Sequence, residues 1–240
     1  MSSRVLLVAV ALSALSGFST TWAGTAVSRA VGNPSRNRAP SRATLLACLT
    51  PLSTKRACDA HALADISRAR RHEGLAPMAL PRDYGSLSTP ERLLAITDLE
   101  RVDRGLPPVL GLTRGLDAAA REGAVRETDP IGPEGYSWAS NWAGGARSPL
   151  FDDFVWMYDD GAGSGNGDCQ HSGDPGCWGH RHNILAALEA PLAMGAAIHG
   201  DSSTELLVGG YRPAEPGSAD PLLAPDWAQI ARTRPARSRH

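Results

Sequence analysis

The chain has 240 residues, 42% of them hydrophobic and 20% charged, and its 24 Lys plus Arg against 25 Asp plus Glu give a formal net charge of −1. That balance excludes a general polyanion binder, and with it a nucleic-acid partner, as well as a collagen-like repeat and a wholly disordered chain. The near-zero sum hides a gradient: residues 1–58 carry seven Arg and Lys and no acid, residues 59–212 carry 13 Arg against 22 acids, and residues 213–240 carry four Arg and three acids.

Along the chain, Arg4 precedes an apolar run over residues 5–15, and Thr21-Trp22-Ala23 offers small residues where a signal peptidase reads. The pattern predicts a signal peptide over 1–23 and a secreted protein; no later stretch approaches the roughly 18 apolar residues of a membrane span. Residues 24–57, with Pro34, Pro40 and scattered Ser, Asn and Arg, read as a basic flexible linker too poor in large apolar side chains to offset its ordering entropy. Its arginines offer contact to an anionic surface by Coulomb attraction.

Residues 58–90 read as a helical extension. Ala62, Leu63, Ile66 and Ala69 recur at helical spacing over 59–74, ending at Gly74. Ser88-Thr89-Pro90-Glu91 opens a second helix, with Leu93, Leu94, Ile96, Leu99 and Val102 on one face before Gly105 and Pro107-Pro108 stop it. An Ala-rich helix is expected over 116–125, a bulky one over 149–158 after Ser148, a Gly-rich loop over 159–179 and a short helix over 181–188. Residues 192–198 and 205–211 read as two strands joined by His199-Gly200-Asp201-Ser202, and 213–240 as a Pro/Arg-rich tail. Helices followed by a terminal β-hairpin predict a single α/β domain with helices packed on a small sheet.

The four cysteines allow three connectivities, and an exported chain favours disulfides. Their spacing suggests two local bridges, Cys48 with Cys58 and Cys169 with Cys177. Other chemistry is conceivable in the same loop. Cys169, His171, Cys177 and His180 have the residue types of a zinc site, and Asp160, Ser164, Asn166 and Asp168 alternate oxygens able to hold calcium weakly. A Gly/Asn/Asp loop satisfying its own turns explains the second pattern without a metal.

Polar and aromatic residues concentrate between Trp138 and Leu185. Four features there and upstream stand in a familiar order: Leu99-Glu100-Arg101 leading to Gly105-Leu106-Pro107-Pro108; the Ala-rich helix; Ser140-Asn141-Trp142-Ala143; and Trp156 followed by Gly179-His180-Arg181-His182-Asn183-Ile184-Leu185. In these the chain resembles the CAP superfamily of cysteine-rich secretory, antigen 5 and pathogenesis-related proteins, in its bacterial SCP-like branch, over about residues 91–212. The resemblance implies an α-β-α sandwich around an open cleft, with His180, Asp159, Ser140, Asn141 and Trp156 as cleft residues. It also implies a divalent cation, zinc or calcium, with His180 and Asp159 as the ligands this chain supplies. Ser140 stands where many members have glutamate, and no histidine lies between His72 and His171 to act as the second imidazole.

Two functions follow as expectations. One is a secreted, non-catalytic domain binding an extracellular or envelope ligand (lipid, glycan, cation or protein) in the cleft. The alternative is a secreted hydrolase of peptide or cell-wall material. Against the second, Ser140 lacks the G-x-S-x-G elbow of a serine nucleophile, and only 63 residues follow Cys177.

Overall fold

The computed structural model describes residues 32–50, 54–145, 148–212 and 220–235. The predicted signal segment lies outside these residues, as do parts of the predicted linker and tail. The described residues form a mixed α/β structure of seven α-helices and a four-stranded sheet. No helix among them is long and apolar enough to cross a membrane.

Helix α1 (Arg42–Leu49) lies where a flexible linker was expected, and that expectation is corrected. Three anchors substitute for a large apolar face. Thr44 and Cys48 are fully buried; the Thr44 hydroxyl and the Ser41 N–H both donate to Asp65 Oδ2, at 2.8 and 2.6 Å; and Cys48 is bonded to Cys58. Closing so short a loop contributes about 2–3 kcal/mol. Cys169 and Cys177 form the second bridge. Helix α2 (Lys55–His72) starts four residues earlier than its apolar period announced, because the Thr54 hydroxyl accepts the Ala57 N–H at 3.2 Å and caps it.

Helix α3 (Thr89–Val102) begins with a capping box in which the Ser88 N–H donates to Glu91 at 2.6 Å. The chain then turns through Pro107-Pro108 into strand β1 (Val109–Leu112), where buried Asp98 of α3 accepts the Val109 N–H at 2.7 Å. Helix α4 (Arg114–Arg126), strand β2 (Ser137–Ala143), helix α5 (Pro149–Tyr158) and helix α6 (Gly179–Ile184) follow. Strands β3 (Leu192–His199) and β4 (Ser202–Gly209) make a hairpin, and helix α7 (Trp227–Ala231) ends the described chain. The helix expected over 181–188 stops at Ile184, and the last strand starts three residues and ends two residues earlier than its apolar run suggested.

The sheet order is β1-β3-β4-β2, with β1 parallel to β3 and the other pairs antiparallel. The hairpin therefore occupies the centre. Alternation along it sorts the faces: Leu192, Met194, Ala196 and Leu207 join the main core with α2, α3 and α5, while Ala193, Leu206 and Val208 pack with Leu116 of α4. Ala120 and Ala124 complete the α4 side against Ala197. Such close packing needs Gly195, where any Cβ would collide with the Leu116 carbonyl. Helices thus cover both faces of the sheet.

Candidate functional site

The polar cluster comes together where the end of β2, α5 and α6 meet. Helix α6 is short, and its approach is fixed by Asp160. The two oxygens of that side chain do different jobs: Oδ2 accepts the backbone N–H of His180 at 3.0 Å, and Oδ1 lies 2.6 Å from His180 Nδ1. Nε2 is thereby left as the free edge of the imidazole. The ring lies nearly parallel to that of Trp156, with centroids 6.4 Å apart. Trp156 is itself held by an Nε1–H···O bond to the Trp142 carbonyl at 3.2 Å.

Burial alone would push the His180 imidazole down. The bond and charge of Asp160, helped by Asp129 and Asp168, raise it above its ordinary value. Asp160→Asn is therefore expected to lower the His180 pKa, followed by NMR titration of the imidazole. An unmoved titration would dismiss Asp160 as the cause.

Behind the histidine runs a second chain of bonds. Glu205 of β4 is fully buried and accepts from Thr97 Oγ1 at 2.7 Å and from Asn141 Nδ2 at 2.8 Å. Asn141 Nδ2 also reaches the His180 carbonyl at 3.2 Å. Asn183 Nδ2 donates to the Ser140 carbonyl at 2.6 Å and to Asn141 Oδ1 at 3.0 Å. Arg101 closes the far end of α6, donating to the carbonyls of Ile184, Ala186 and Pro107 at 2.7, 3.0 and 3.0 Å. The Asn of each motif and the arginine of α3 thus serve to clamp α6, and with it His180, against the sheet.

His180 opens onto a cleft of about 470 Å³. Its apolar walls are Trp142, Phe151, Val155 and Trp156, closed on one side by Leu45 of α1 and by Pro40 of the segment leading into that helix. That segment is pinned over the 161–162 turn by Asn37, whose amide donates to the carbonyls of Gly161 and Ala162 at 2.9 and 2.6 Å and accepts the Gly161 N–H at 2.6 Å. The polar lining is acidic: Asp129, Asp152, Asp159, Asp160 and Asp168 face it, with no Lys or Arg among the described lining residues. Burial pushes up the carboxyls of Asp129 and Asp159, the latter helped by Asp160. Asp152 is only 1% exposed, and burial, reinforced by Glu205 and Asp59, raises its carboxyl to about 8.

Of the residues expected in the cleft, His180, Asp159 and Trp156 line it. Ser140 and Asn141 are buried and do not; Ser140 contributes only its carbonyl. The carboxylate paired with His180 belongs to Asp160, one residue past Asp159. Sequence reasoning placed Asp160 only in a possible calcium loop and missed Glu205 and Asp152 altogether. Asp160 carried no signal for this pairing, because it lies 20 residues before the His180 N–H it accepts, just past the end of α5; Asp152 and Glu205 carry none either, because burial alone makes them unusual.

The donor set does not fit a divalent cation. No second histidine joins His180 in the cleft lining, and no group of three or more His, Cys, Asp or Glu side chains among the described residues is arranged to hold a metal. Cys169 and Cys177 are consumed by their disulfide. In the loop, Asn166 Nδ2 donates to Asp160 Oδ1 at 2.7 Å and to the Gly176 carbonyl at 3.0 Å, while the Asp168 N–H donates to Asn166 Oδ1 at 2.9 Å. These oxygens satisfy the loop's own turns.

Comparison of the chain with family models, with curated proteins and with solved structures finds no match in any of the three.

Proposed function

We propose that the protein is a secreted CAP-type, SCP-like domain that binds an extracellular or envelope ligand in the cleft beside His180 and catalyses no reaction. The order of the sequence features supports the family reading, as does the layering of helices on both faces of a four-stranded sheet. Two disulfides suit export. The observation that carries the binding role is the cleft itself: about 470 Å³, within the range of small-molecule sites, with two tryptophans and a phenylalanine as walls. No Ser, Thr, Cys or Lys is among its described lining residues, so a hydroxyl, thiol or amine nucleophile is not among them.

One observation favours the hydrolase instead. A histidine held by a carboxylate at 2.6 Å, with its other nitrogen at a cleft, has the geometry to activate a water molecule. The two readings separate in one experiment. The purified protein is incubated with lipid, glycan and peptide libraries and analysed by native mass spectrometry, alongside Val155→Trp, which fills the cleft. The binding reading expects a retained, chemically unchanged ligand that Val155→Trp excludes. Turnover of peptide or cell-wall material that disappears in His180→Gln would establish the hydrolase, and a library with no member bound in the cleft would remove the binding role.

A further inference from the structure

Resting on the reading of the cleft as a binding site, we propose that its ligand is an organic ammonium ion: a cationic amine carried on an apolar body. Three features of the lining converge on that class. The walls Trp142, Phe151, Val155 and Trp156 are apolar and aromatic, and so suit a hydrocarbon or ring body of moderate size. The carboxyl side chains of the described lining are all aspartates, five against the single basic group His180, with no Lys or Arg among the described lining residues, which opposes entry of a fatty-acid carboxylate, a phosphate or any other anion. The electron-rich faces of the two tryptophans add attraction for a cation.

The third feature is Asp152, at the base of α5. Its side chain is 1% exposed, it lines the cleft, and its Oδ2 has no hydrogen-bond partner. An unpartnered buried oxygen is costly unless something arrives to use it. An ammonium N–H is a suitable donor, with a charge that matches the carboxylate form.

That pairing has a signature distinct from simple shape fit. The groups facing Asp152 are Asp59 and Lys55 of α2 and Ser203 and Glu205 of β4. Burial, reinforced by Glu205 and Asp59, outweighs the opposing pull of the Ser203 hydroxyl and of Lys55 and keeps the carboxyl largely protonated at pH 7. A cation bound against it stabilises the ionised form and expels the proton. Binding at pH 7 is therefore coupled to proton release, whereas an uncharged or anionic ligand of the same shape releases none.

The test uses three probes with one apolar body: decylamine, decanol and decanoate, each titrated calorimetrically into the full protein in phosphate and in Tris. The expected result is decylamine binding at least about tenfold tighter than decanoate, with decanol between them. The buffer dependence of the heat should report about one proton released per amine bound in the native protein and close to none in Asp152→Asn. Val155→Trp should abolish the amine binding. Decanol or decanoate binding as tightly as decylamine, in a manner Val155→Trp blocks, overturns the ammonium proposal while leaving the cleft as a binding site. Amine binding that Val155→Trp leaves untouched, or proton release unchanged in Asp152→Asn, also overturns it. If no probe binds, the proposal falls, and the library experiment above decides separately whether the cleft binds anything.

Discussion

Asp152→Asn is expected to make the protein more stable at pH 7 by about 2–4 kcal/mol, and to lose that advantage progressively as the pH falls towards 4. The sign follows from the direction of the shift. The carboxyl is raised from 3.8 to about 8 on folding, so between those values the native state holds a proton that the unfolded chain has released. Stability from this group is fully present below pH 4 and drains away as the pH rises to 8. Three pH units at about 1.4 kcal/mol each set the upper figure, and an asparagine that fits the buried site less well than a protonated acid sets the lower. Urea denaturation of both proteins at pH 4.5, 6 and 8 measures it; parallel pH profiles would refute the assignment. A bound ammonium ligand should flatten the native profile too, since it stabilises the ionised carboxylate in the folded state.

That a destabilising acid sits at the wall of the cleft, rather than a leucine, fits the view that sites depart from what folding alone prefers. Such departures were the least legible part of the sequence. The helices α3, α4 and α5 could be read almost to the residue, because Ser88 with Glu91, the alanine run, and Ser148 with Pro149 are local signals that the tertiary structure simply obeys. Strand β2 could not. Ser137–Ala143 has no β-branched residue, and its strand conformation comes from seven-residue antiparallel pairing with β4, a partner about 65 positions away. Strand β1 is four residues long and depends in the same way on β3. Helix α1 was hidden for another reason. Its apolar side chains do not form one stripe, and Leu46 and Leu49 stay about half exposed, so a disulfide and Asp65 hold it instead of a core. Within the site, the motif around His180 was visible but its partner was placed one residue early. Which of two adjacent acids turns inward depends on the end of α5, where the chain leaves the helix at Asp159, and no periodicity describes that.

Glu100→Gln is the substitution expected to cost most, about 3–5 kcal/mol. Glu100, Arg70 and Arg104 have wholly buried side chains. Glu100 Oε2 accepts from Arg70 Nη1 at 2.8 Å and from Arg104 Nη1, while its Oε1 accepts the Tyr158 hydroxyl at 2.8 Å. Burial alone would push this carboxyl up, yet Arg104 and Arg70 hold it below its ordinary value. Removing the charge takes away the carboxylate that the two guanidiniums share, while Arg70 keeps Asp103 at 2.6 Å and Arg104 keeps Glu73 at 2.5 Å. Glu73 also meets Arg181 of α6 at 3.0 Å, so the disturbance reaches the helix that carries His180. Loss of stability is expected together with broadening of the His180 NMR signals. An exposed comparison comes from Glu122, paired with Arg126 on the surface of α4, where Glu122→Gln should change stability by less than about 0.5 kcal/mol. A third variant separates burial of unpaired charge from loss of packing. Glu100→Gln combined with Arg104→Met removes one of the two cations that Glu100 balanced and should recover part of the loss. A double variant no more stable than Glu100→Gln alone would mean that the network matters for its shape, and that the charges of α2 and α3 do not hold the site in place.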